Sequence, residues 1–348
     1  EARKDELPLI EVRGTAFLVT FSLFAADEIH EVEVQVNRAL AVAFENRLEP
    51  GYHTMLLNGA LAEIRLRQGR FEESRQALSL VIKDAQSIQW PPVEIATTLA
   101  RIMYVTADLS MTRNFCDVLK EVDGSQRRIL ARASSYLFQG MELFMALEMK
   151  RARDAFTRSG QLAQEAGTLP TLQLFAFCLA YYAAVIEDDK DAALRAQRVA
   201  ARELDAVPFV WMQGTMRLYQ AVEASLVGRA DEAASHSDAA GSIFRRVGDH
   251  VQLALAQRQQ AATAYVSGAK GAEHLLLESA REFQTLGIPL PPLYTDEMIR
   301  TWKSDTGVGS LKKGDGVALL SGPIDRLAVR GLSENQIIEE LFEVLLAY

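Results

Sequence analysis

From about residue 10 to residue 287, apolar side chains recur every three or four positions, the spacing of an amphipathic helix. The text between them is rich in Ala, Leu, Glu and Arg, all good helix formers. Proline is scarce, and it clusters at 91–92, 170, 208 and 289–292, where it punctuates the pattern instead of interrupting it. No run before residue 310 alternates in the manner of a strand. The expected fold class is therefore all-α, and the open question is how the helices are arranged.

Within the stretch RLRQGRFEESRQALSLV, residues 65–81, one helix should stop at Gly69, a residue free to adopt a left-handed φ. A second should begin at once and carry Ser74, Leu78 and Val81. Ala62 lies twelve residues before Ser74, and two small residues at that offset let antiparallel helices approach closely. The arrangement returns around Ala152 (Gly140 before it, Phe156 and Ser159 after), Ala192 (Ala180, Ala196, Val199) and Ala233 (Ala221, Ala240). It returns in weaker form around Ala272, where Gln260 stands in the small position. Ser74 and Ala152 are 78 residues apart, and the later steps are 40, 41 and 39. Extrapolation places further units near residues 113 and 34. The expectation is seven helical hairpins with a period near 40 over roughly residues 10–287.

This pattern resembles the tetratricopeptide repeat (TPR) family, most closely at GRFEESRQAL and GRADEAASHS. The family's usual period is about 34 residues. The longer step resembles the long-helix variant of MalT-like regulators and of peptide-sensing bacterial regulators. Leu147 and Glu187 depart from the family, which often has Gly there. The resemblance implies an α-solenoid: a superhelix with a concave face lined by the first helix of each hairpin.

Charge narrows the partners. The 348 residues include 37 Lys+Arg and 46 Asp+Glu, a net charge of −9. Such a body repels phosphate and argues against direct nucleic-acid binding by this segment. Cys116 and Cys178 form no CxxC pair and sit in apolar helical text, which suggests a reducing, cytoplasmic setting. No apolar run reaches the ~20 residues of a membrane span.

No catalytic constellation emerges. The five histidines (30, 53, 236, 250 and 274) share no metal-ligand spacing. GVGSLKKGDG, residues 307–316, lacks the Lys-Ser/Thr ending of a phosphate loop and reads as a basic linker. EDDKD, residues 187–191, lacks the Gly and distal Glu of a calcium loop and reads as a hairpin turn with Asp favouring the next helix. The chain is expected to be non-catalytic, with no metal and no cofactor of its own.

Projecting the first helices onto the concave face directs Met141, Phe144, Phe177 and Tyr181 inward, with Tyr136, Gln139, Trp211 and Arg217 nearby. Such a groove suits a small-molecule effector, a peptide or an amphipathic partner helix, or self-association. The alternative for the Met and Phe positions is packing between neighbouring hairpins.

Three segments are expected: the repeat domain at 1–288, a capping segment and linker at 289–323, and terminal helices at 324–348. In the last, Ser333 and Gln336 fit a capping box, and Ile337, Leu341, Val344 and Leu345 form one apolar stripe. Leu327, Gly331, Leu332, Ser333, Ile337 and Leu341 resemble the first half of a LuxR-type helix-turn-helix, with Glu334 and Ile338 departing from it. A TPR-like array followed by a linker and such a start implies the sensor segment of a MalT-like ATP-dependent activator, whose ATP would bind an upstream module. Two other readings stay open: a freestanding scaffold, and a peptide-sensing regulator.

Overall fold

A computed structural model describes residues 2–23, 29–49, 51–88, 95–106, 115, 125–167, 170–206 and 209–302. Among these the chain is all-α, with fourteen α-helices, one 3-10 turn and no strand. The helices are α1 (Ala2–Ser22), α2 (Ile29–Glu45), α3 (Tyr52–Arg67), α4 (Phe71–Ile88) and α5 (Ala96–Thr106). There follow α6 (Ser125–Met145), α7 (Met149–Ala166), α8 (Pro170–Ile186), α9 (Lys190–Ala206) and α10 (Val210–Leu226). Then come α11 (Ala230–Arg246), α12 (His250–Val266), α13 (Ala272–Thr285), the 3-10 turn Pro292–Tyr294 and α14 (Asp296–Trp302).

Sequential helices pack against one another: α1 on α2, α3 on α4, α6 on α7, α8 on α9, α10 on α11 and α12 on α13. Small residues set the approach. The Ser74 hydroxyl donates to the Ala62 carbonyl at 2.7 Å, the pair singled out by spacing. Ala152, Ala180, Ala221 and Ala233 are all buried. A Cβ added to Gly140 would lie 2.4 Å from the Phe156 ring, so only glycine lets α6 and α7 come so close. The Ala272–Gln260 mismatch has a geometric reason. The turn at 267–271 is longer than the one at 227–229, so Ala272 opens its helix, whereas Ala233 lies one turn inside its own. Tight turns pass through the left-handed region at Gly69 and also at Leu147 (φ 58°) and Asp188 (φ 59°). At the second of these non-glycine turns the left-handed residue is thus Asp188, one beyond the expected Glu187.

The two kinds of helix differ in how much they bury. α9 and α11 are amphipathic and turn charged faces outward. α8, PTLQLFAFCLAYYAAVI, is apolar on nearly every side and is buried from Leu174 through Ile186. A helix without a polar face has to be surrounded, and α8 touches α5, α6, α7, α9 and α10. Cys178 lies fully buried on it as a free thiol, and burial pushes its pKa up to about 12. Cys116 is outside the described residues.

The inner helices also touch in sequence: α3 with α5, α5 with α6 and α8, α8 with α10, and α10 with α12. The circuit then closes, because α12 packs against α3. The turn at Gly248 abuts Ile29 of α2, and Gly69 abuts Leu286 beyond α13. Residues 292–302 cap this junction. Arg258 of α12, fully buried, donates to the carbonyls of Tyr294 (3.0 Å) and Leu276 (2.6 Å), to Ser279 (3.1 Å) and to Asp296 of α14. Trp302 is buried beneath the cap. Of the capping segment and linker expected at 289–323, residues 289–302 are described. The linker from 304 and the terminal helices at 324–348, with Ser333 to Leu345, lie outside the described residues.

Candidate functional site: the tyrosine-lined axis

Where the inner helices converge, four buried charged side chains meet. Arg101 of α5 donates Nη2 to Asp249 Oδ2 at 2.7 Å and Nη1 to Glu63 of α3. Arg67 donates Nε to Glu63 Oε1 at 2.7 Å and Nη1 to the Leu23 carbonyl at 2.6 Å. Thr98 donates to Glu63 at 2.9 Å, and the Trp211 indole donates to Asp249 at 2.7 Å. Asp249 also caps α12 through the Gln252 amide, 2.9 Å away. The Arg101 guanidinium lies 4.4 Å from the Trp211 ring centroid, a cation–π contact. Two carboxylates and two guanidiniums leave the group neutral, which is what allows it to be buried at all. Burial would raise the Glu63 pKa, but the guanidiniums of Arg101 and Arg67 and the hydrogen bonds they share hold it below the carboxylate value.

Beside this cluster is a cavity of about 30 Å³, bordered by Arg101, Gln252, four tyrosines (104, 182, 219 and 294) and a wall of apolar side chains. It has room for two or three water molecules. Tyr182 and Tyr219 stack in parallel with centroids 4.2 Å apart, and Phe144 tilts against Tyr182 at 5.3 Å. Tyr182 and Tyr294 are nearly inaccessible, at 3% and 2% exposure. The hydroxyls of Tyr104, Tyr182 and Tyr294 are buried and lack a partner with hydrogen-bond geometry. The Tyr182 and Tyr294 phenols are nonetheless within hydrogen-bonding reach of each other, a contact that raises the Tyr182 pKa and opposes the rise at Tyr294. Burial, the dominant cause, pushes the Tyr104, Tyr182 and Tyr219 phenols well above their usual pKa and the Tyr294 phenol above it. All four are therefore neutral phenols at physiological pH.

The residues expected in a concave groove separate into groups. Met141 and Phe144 border the cavity, both 2% exposed. Trp211 belongs to the ionic cluster. Phe177 and Tyr181 are buried in seams between helices and do not face an open groove: Phe177 lies against Gly160, and Tyr181 donates to Glu223. Tyr136 and Gln139 are half-buried. Arg217 is exposed, beside Gln220 and His236, and is not part of the axis. The groove expected to be open is filled, because the inner helices close on one another through α3 and α12.

Sequence reasoning missed Glu63, Arg67, Arg101 and Asp249, and it missed Tyr104, Tyr182 and Tyr294. One signal was present. Tyr104, Phe144, Tyr182 and Tyr219 recur at close to the repeat spacing, so that α5, α6, α8 and α10 each bring an aromatic to the cavity. The EDDKD turn is ionic and local: Asp189 accepts from the Ala192 amide at 2.9 Å, and Arg153 bridges Glu187 and Asp189 at 2.6 and 2.7 Å. Among the described residues no three His, Cys, Asp or Glu side chains gather as a metal site. No described helix is long and apolar enough to cross a membrane.

No family model matches this chain, and no curated protein or solved structure matches it.

Proposed function

We propose that this chain is the effector-sensing, non-catalytic segment of a cytoplasmic transcription regulator of the MalT-like kind, built as a superhelix of seven TPR-like hairpins. The effector enters at the axis, and ATP and DNA are handled by other modules of the regulator. The observation that carries the reading is the convergence of five inner helices on one small cavity bordered by four buried tyrosines. Helix pairs at the expected repeat spacing support the superhelix. An occupant that bridges several inner helices would change how tightly the circuit closes, which is how an array transmits occupancy to a neighbouring module.

A partner-docking scaffold is the second reading. Leu7, Ile10, Phe17 and Leu18 of α1 are each more than half exposed and share one face, opposite the buried Val12, Ala16 and Val19. An exposed apolar stripe of that kind fits a protein surface.

Reading the gene on both sides of this segment tests the regulator. A GxxxxGK[ST] module upstream and a recognition helix directly after Tyr348 are expected. Flanks that encode neither would leave the scaffold as the better reading.

A further inference from the structure

The chemistry of the axial cavity specifies what it can hold, given that the axis is the effector site. Size comes first. About 30 Å³ admits a molecule no larger than two or three waters, on the order of three or four heavy atoms. An aromatic ring needs several times that space. Charge comes second. Arg101, the cationic side chain on the cavity wall, is already bound to Glu63 and Asp249. A further anion or cation would be uncompensated in a buried site, and burying an unpaired charge is prohibitive. Polarity comes third. Leu179, Leu218 and Leu255 form an apolar side, while the tyrosines that border the cavity bring three buried phenol hydroxyls without a well-formed hydrogen bond, those of Tyr182 and Tyr294 lying within reach of each other. Each such hydroxyl can donate or accept, and leaving several unpaired is costly enough to call for an occupant.

We propose that the axial cavity binds a compact, uncharged molecule with a short hydrocarbon body and one hydroxyl or carbonyl, a small alcohol or ketone. Its oxygen pairs with the phenols of Tyr182 and Tyr294, and its carbons lie against the leucine wall. This inference deepens the sensor reading and rests on it.

The test uses the whole 348-residue chain. The probes are 2-propanol and acetone, acetate as the charged isostere of acetone, and benzyl alcohol as an oversized relative. Binding is followed by saturation-transfer NMR and by thermal shift. So few heavy atoms limit affinity, so saturable binding is expected in the high-micromolar to millimolar range. Acetate should bind at least tenfold more weakly than acetone. The double substitution Tyr182→Phe/Tyr294→Phe should weaken 2-propanol tenfold or more while the chain still melts cooperatively. Leu255→Phe, which fills the cavity, should abolish binding with both tyrosines intact.

A response that is linear in 2-propanol and equal in wild type and both variants would mean ordered water alone, and would overturn the proposal. So would acetate binding as well as acetone. Tighter binding of benzyl alcohol, lost in Leu255→Phe, would overturn the ligand class and leave the sensor reading standing. Gene flanks without either regulator module would remove the sensor reading whatever the probes do.

Discussion

Arg101 Nη2 and Asp249 Oδ2 lie 2.7 Å apart although 148 residues separate them along the chain. In an array of helix pairs most contacts are made between neighbours. This contact is of another kind, because it ties α5 to the turn before α12. Asp249 accepts from Arg101, from the Trp211 indole and from the Gln252 amide, and stands 3.9 Å from Arg67. One carboxylate thus joins α3, α5, α10 and α12.

Asp249→Ala should be among the most destabilising single changes. It strips acceptors from a buried guanidinium and a buried indole, and breaking such a pair costs about 3–5 kcal/mol. Chemical denaturation measures the loss. A change below about 1 kcal/mol would mean that the circuit closes through apolar contacts alone.

Stability should depend on pH through Glu63, whose carboxyl is held below its usual value of 4.5. A depressed carboxylate contributes stability that is fully present above the unfolded pKa and is lost as pH falls through the folded one. Wild type should be more stable than Glu63→Gln at pH 7. The gap in urea midpoint should narrow progressively below about pH 4.5 as the unfolded chain, and then the folded one, takes up the proton. A gap that is constant down to pH 3 would contradict the ionised cluster.

Gly140→Ala should destabilise by about 1–3 kcal/mol, since its new methyl meets the Phe156 ring at 2.4 Å and both lie in the α6–α7 seam. Gly228→Ala is a contrasting control. Nothing lies within 4 Å of its added Cβ, so any cost there comes from its φ of 76° and not from packing. Thermal melts of the two variants separate crowding from backbone strain.

Phe177→Ala should lower the melting temperature strongly, with a cost of about 3–5 kcal/mol for a buried phenylalanine. Tyr181→Ala should also destabilise, because its phenol donates to Glu223 from a side chain with no exposure. Residues on an open groove would lose binding and keep stability. Unchanged melts for both variants would restore that open groove.

The chain by itself should show no sequence-specific DNA binding near physiological salt, given its net charge of −9. A gel shift with sub-micromolar, sequence-selective retention would contradict this.

The sequence by itself determined the all-helical class and the pairing of described helices such as α3 with α4; the unit expected near residue 113 lies outside the described residues apart from Phe115. Class and pairing both depend on local quantities: three-to-four periodicity, helix-forming residues, and small residues twelve positions apart, as at Ala62 and Ser74. It also carried the burial of α8, whose text has no polar face to turn outward. Only the tertiary structure decided that the inner helices close on themselves. That depends on contact between helices far apart in the chain, α12 on α3, and no local pattern encodes a contact of that kind. The closure fills the space among the inner helices, while Phe177 and Tyr181 pack against nearer neighbours, Gly160 of α7 and Glu223 of α10. It also gives the charges at Glu63, Arg67, Arg101 and Asp249 their meaning: each reads as an ordinary polar position in its own helix, and they become a neutral buried cluster only when distant parts of the chain are brought within 3 Å of one another.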